Sequence, residues 1–138
     1  MRSINLIVIH CADTPASMDI GAREIDRWHR ERGFLQIGYH WVIRRDGTLE
    51  RGRAEFTPGA HVEGHNASSI GVCMVGGKSA KGTPENNFTE NQWSTLTHTV
   101  NRLLKTYPGA KVLGHRDLNK GKACPCFDVS GWLKSTQS

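Results

Sequence analysis

Between Gly114 and Asp128 the chain reads GHRDLNKGKACPCFD, bringing His115, Lys122, Cys124 and Cys126 into one short stretch. Its Gly, Lys and Pro content predicts neither a regular helix nor a central strand. Imidazole and thiolate are the side chains a zinc ion prefers. A catalytic zinc needs three protein ligands and one open position. This stretch supplies two of them. The other candidate lies near the start of the chain, where LIVIHC ends an apolar run on His10. Two distant strands ending at one place, with a ligand-bearing loop, would assemble such a site. A core histidine satisfied by a single backbone bond is the competing reading of His10.

The elements that must position these residues follow the chain. INLIVIH (4–10) is β-branched and continuously apolar, as in a strand buried on both faces. A turn follows, and Ser17 or Asp19 is placed to cap a helix running to about Arg32, with Ile25, Trp28 and His29 as its apolar stripe and Gly33 as its stop. Residues 38–53 alternate on either side of Asp46-Gly47, the preferred pair for a tight hairpin. Strict alternation puts Tyr39, Trp41 and Ile43 on one face and His40, Val42 and Arg44 on the other. Tyr39 also reads as an ordinary half-buried aromatic.

The segment 54–68 carries His61, His65 and Asn66 among Gly and Pro, three ligand-capable groups on a long loop, which points to a binding surface. SIGVCMVGG (69–77) predicts a second buried strand, and 78–88 a polar surface loop. From Phe88 to Gly109 the chain predicts a helix. Thr89 and Gln92 make a capping box, Trp93, Leu96, Val100, Leu103 and Tyr107 recur at steps of three and four, and Pro108-Gly109 ends it. Lys111–Gly114 returns as a short strand, and Asp128 is placed to cap a brief terminal helix bearing Trp132 and Leu133. These elements predict an α/β domain with a mixed central β-sheet of about five strands, flanked by two long helices and a short C-terminal helix.

Composition narrows the function. The 138 residues make a single domain with enough apolar surface to form a core, and 37% hydrophobic with 22% charged residues is ordinary for a globular chain. The net charge of +5 favours an anionic partner, yet the basic residues are scattered and read as a solvated surface. No nucleic-acid or membrane partner is expected, and a monomer is. The first apolar run is too short for a signal-peptide core and no transmembrane span is present, so synthesis in the cytoplasm without a signal peptide is expected. Four cysteines allow two disulfides on arithmetic alone, but a chain of this size in that compartment needs none, and all four are expected to be reduced.

Read together, IVIHCADT, GAREIDRWHRERG, IGYHWVIRRDGTLERGR, HNASSIGVCMVGG, GHRD and KACPCFD carry a family resemblance over essentially the whole chain. Each is weak alone; their order and spacing are specific. The chain resembles the zinc-dependent N-acetylmuramoyl-L-alanine amidases, in particular the short phage lysozyme-type endolysins related to peptidoglycan-recognition proteins. The resemblance implies a Zn²⁺ cofactor held by His10, His115 and Cys124, with Tyr39 and Lys122 as catalytic residues. It places His61, and more weakly Asn66, along the substrate groove. It implies peptidoglycan as substrate, cleaved between N-acetylmuramic acid and L-alanine, and bacteriolytic action on the cell wall after release. Cys126 departs from the family pattern, and a one-residue-pair shift in register would make it the ligand. Three alternatives stand beside this reading: a cytoplasmic amidase recycling anhydro-muropeptides, whose members carry aspartate where Cys124 stands; a non-catalytic peptidoglycan-binding module; and a polymerase-inhibiting protein. Nine residues precede His10, fewer than in the family member with that last activity.

Overall fold

A computed structural model describes residues 2–137. Strands β1 (Leu6–Cys11), β3 (Trp41–Ile43), β4 (Leu49–Arg51), β5 (Ser69–Met74) and β7 (Lys111–Gly114) form a five-stranded mixed sheet in the order β4-β3-β5-β1-β7. All its pairings are parallel except the β3–β4 hairpin. β2 (Thr14–Pro15) and β6 (Gly77–Lys78) make a separate two-stranded ribbon. The helices are α1 (Ala22–Glu31), α2 (Glu90–Thr106), the single turn α3 (His115–Leu118) and α4 (Val129–Gln137). The expected sheet and flanking helices are present, although α1 is only 10 residues long.

The two-residue period of the strands sorts side chains between two layers. Ile7 and Ile9 of β1 join Ile70, Val72 and Met74 of β5 in the larger core, closed by Leu96, Val100 and Leu103 of α2. The opposite face carries Val42, Cys73 and Val75 against Ile25 of α1. His10, out of phase with Ile7 and Ile9, belongs to this second face, in register with Cys73. There α1 covers the sheet only in part. β1 runs between two parallel neighbours, and His10 lies near its carboxyl end, where open α/β sheets hold their ligands.

Three local expectations change. Helix α1 begins at Ala22 after Gly21, not after Ser17 or Asp19. The Glu24 carboxylate reaches back to the Gly21 N–H at 2.8 Å, and Glu50 accepts from the Ala22 N–H at 2.8 Å, so carboxylates from within and across the fold satisfy the helix start. Asp19 instead faces Arg44 at 3.4 Å. Strict alternation does not reach back to Tyr39: β3 starts at Trp41, and Tyr39 packs with Val42 on the α1 side while Trp41 and Ile43 face the larger core. Finally, His115–Leu118 is helical for one turn within the stretch expected to be irregular, because the Asp117 carboxylate accepts from the Gly114 N–H at 2.8 Å.

Candidate metal centre and active-site cleft

Two strand ends and one loop converge on a cleft of about 680 Å³. His10 comes from β1, and His115 follows β7 directly. Cys124 comes from the loop after α3, which is tied back by the Arg116 N–H donating to the Cys124 carbonyl at 2.8 Å. One donor atom from each of the three residues lies within 4.8 Å of the others. Their rings and sulfur are close as well: the His10 and His115 centroids are 4.7 Å apart, and Cys124 Sγ is 3.9 Å from His10 Nδ1. Among the described residues this cluster could hold a metal ion. A tetrahedral zinc with nitrogen and sulfur ligands spaces such a pair by about 3.5 Å, so the donor types fit and the His10–Cys124 pair stands within a few tenths of an ångström of that spacing.

Electrostatics favour the ligand forms. Burial, then the neighbouring His61 and His115 rings, pushes His10 well below the usual histidine range. Burial, then the Lys122 ammonium, lowers His115. Both imidazoles are therefore neutral at neutral pH, with a lone pair to give. Cys124 Sγ accepts from the Cys11 backbone N–H at 3.1 Å, a bond that suits a thiolate. Cys126 points elsewhere: its thiol donates to the Gly77 carbonyl at 3.2 Å and meets Cys11 Sγ at 3.9 Å. All four cysteines are free thiols.

Tyr39 and Lys122 line the same cleft. The Tyr39 ring is 5.0 Å from His10, and its hydroxyl meets the buried Cys73 thiol. Burial, followed by the neighbouring thiols, raises the phenol well above its ordinary pKa, so it stays a proton donor. Lys122 is exposed on the loop, its N–H bonded to the Asn119 carbonyl at 3.0 Å. His61 reaches the cleft floor, but both of its ring nitrogens are engaged inside the protein, with His10 Nε2 at 2.8 Å and Ser69 Oγ at 3.2 Å. Asn66 Oδ1 accepts from the His61 and Val62 backbone N–H groups, both at 2.9 Å. His65 is not among the cleft-lining residues.

Further groups escaped sequence reasoning. Trp28 and His29 from α1, with Arg32 at its C-terminal cap and Phe34 just beyond, form one wall of the cleft. His29, read from sequence as packing alone, also accepts from the Gly38 N–H at 2.9 Å and lies 5.4 Å from the Tyr39 ring, so it steadies the residue before Tyr39. Its place on the apolar stripe masked this. Lys78, 3.6 Å from Asp13, borders the other side.

Fold and site together define a class. The N-acetylmuramoyl-L-alanine amidase family matches residues 1–127, and the chain belongs to it. The endolysin of Enterobacteria phage K11 is 51% identical over 127 residues, 92% of this chain and 83% of that protein. The endolysin of Escherichia phage T7 is 44% identical over 136 residues, 99% of this chain and 89% of that one. Among solved structures, the endolysin amidase LysCS of Clostridium intestinale URNW superposes with a TM-score of 0.84 at 29% identity, covering 99% of this chain and 85% of that chain. Drosophila peptidoglycan-recognition protein LB, at 24% identity and TM-score 0.74 over 91% of this chain and 76% of that chain, shares the fold.

Proposed function

We propose that this chain is a zinc amidase acting as a single, monomeric domain, and that it lyses the cell wall by cleaving the amide between N-acetylmuramic acid and L-alanine of peptidoglycan. The observation that carries this reading is the convergence of His10, His115 and Cys124 donor atoms within 4.8 Å, in a cleft that Tyr39 and Lys122 also line. Zinc held there supplies a Lewis acid for the scissile carbonyl and lowers the pKa of a water to about 7. Cys124 supports this reading over a recycling amidase or a non-catalytic module, since the thiolate ligand is retained.

The chain's own residues do the rest. Neutral His10 and His115, with the sulfur of Cys124, would hold the ion in the cleft. Tyr39, kept protonated by burial, donates a hydrogen bond to negative charge growing on the carbonyl oxygen. Lys122 brings a fixed positive charge to the same side, and Arg32 and Lys78 extend the positive rim towards a stem peptide that carries carboxylates. Trp28 and Phe34 offer an apolar wall to the substrate backbone. The test is hydrolysis of purified sacculi by protein stripped with a chelator and then reloaded. Activity should vanish and return with zinc; full activity in metal-free protein overturns the reading.

A further inference from the structure

His61 and Asn66 were expected to face substrate, yet both ring nitrogens of His61 and the Oδ1 of Asn66 are bonded within the protein. We infer that His61 is a positioning residue for the metal ligand His10, and that Ser69 and Asn66 hold it in place. The inference rests on the zinc reading above and deepens it.

The hydrogen bonds leave one consistent arrangement of protons. His10 offers Nδ1 on the Cys124 side, so its lone pair must lie there for the metal and its proton on Nε2. That proton has one partner within 2.8 Å, His61 Nδ1, which therefore accepts. The His61 proton then sits on Nε2 and points to Ser69 Oγ at 3.2 Å. One chain of donors thus runs Nε2–H of His10 to His61, and Nε2–H of His61 to Ser69. Metal-bound histidines almost always give their second N–H to such a partner, which fixes tautomer and ring angle and raises ligand basicity.

The fold is shaped around this ring. Gly71 lies beneath it: a Cβ there would stand 2.7 Å from His61 Cγ and Cδ2. Gly59 closes the side, where a Cβ would stand 2.6 Å from Cδ2. Asn66 takes the His61 and Val62 N–H groups with one oxygen, holding the backbone that carries the ring. His61 is 8% exposed and meets His10 edge to face at 89°. Although His61 lines the cleft, both nitrogens of its imidazole are bonded within the protein, which leaves no free ring nitrogen to bind a substrate.

The experiment compares wild type with His61→Ala and His61→Asn, measuring zinc affinity by competition with a chromogenic chelator, and the melting temperature of the zinc-free proteins. Both variants lose packing, so both zinc-free melting temperatures should fall together. Only alanine removes the acceptor; asparagine keeps an oxygen near the position of Nδ1. Zinc affinity should drop roughly 10–100-fold in His61→Ala and recover most of that loss in His61→Asn. Unchanged zinc affinity in His61→Ala, with the loss confined to KM on sacculi, returns His61 to the groove and overturns the inference. Equal weakening in both variants overturns it too, because the acceptor would then be irrelevant. A wild type that binds no zinc fails the metal reading itself before any variant is compared. Inactivity on sacculi with zinc bound fails the substrate reading alone and leaves the result on His61 standing.

Discussion

The backbone N–H of Cys11 donates to the sulfur of Cys124 across 3.1 Å, so the residue after His10 steadies Cys124. The sulfur of Cys126 has no such role; it is committed to Gly77 and Cys11. Cys124→Ser should lose zinc and activity together, since a hydroxyl is a far poorer ligand than a thiolate. Cys126→Ser should keep both near wild type. Metal content per chain and rate on sacculi, measured on both variants, check this; the reverse pattern would move the ligand to Cys126.

Lys122 separates chemistry from metal binding. An ammonium group beside the site is not a ligand, and its effect grows with charge that develops only in the transition state. Lys122→Ala should lower kcat by roughly 10²–10³-fold, the scale of one lost oxyanion partner, with zinc and melting temperature held. Lys120, exposed on the same loop and not lining the cleft, is the control. Equal small losses in Lys120→Ala and Lys122→Ala would reduce Lys122 to surface charge.

Tyr39→Phe keeps the ring against His10 and deletes one donor. A fall in kcat of roughly 10²-fold with zinc content unchanged is expected. Loss of zinc in this variant would instead make the phenol part of the metal's surroundings.

Acid should destabilise the zinc-free fold above the range where carboxylates titrate. Burial lowers His40 from 6.5 to about 4 and His61 from 6.5 to about 3. His40 accepts from the Gly71 N–H at 2.9 Å and donates to the Thr57 carbonyl at 2.8 Å, with the Arg2 guanidinium beside it, so a second proton is unwelcome. Below pH 6.5 the unfolded chain takes up protons that the folded chain refuses, and stability falls as pH drops towards 4. For His40 alone the loss is on the order of 3 kcal/mol. Denaturant unfolding of the zinc-free protein at pH 7, 5.5 and 4.5 tests this; a flat profile across that range would contradict it.

Local punctuation was readable from sequence because its partners are near neighbours. Thr89 and Gln92 cap α2 as their spacing predicts, and Asp46-Gly47 turns the β3–β4 hairpin. A zinc site built from His10 and the His115–Cys126 stretch was readable from residue types, but the choice of Cys124 over Cys126 came through family resemblance, since no local pattern relates His10 to a sulfur 114 residues away. What stayed hidden depends on contacts that no local pattern encodes. The start of α1 is shared with Glu50, 28 residues beyond Ala22. His61 looks like any loop histidine until its bond to His10, 51 residues away, is seen. The support of Cys124 by Cys11 comes from a backbone group, which side-chain chemistry cannot announce.

The proposed chemistry stands or falls on which bond in peptidoglycan is cut. Mass spectrometry of sacculi digested by the zinc-loaded protein tests it most directly. Cleavage between N-acetylmuramic acid and the stem peptide predicts new L-alanine amino termini and glycan strands without new reducing sugars. New reducing ends, or peptides cut within the stem with the lactyl–alanine amide intact, would contradict it.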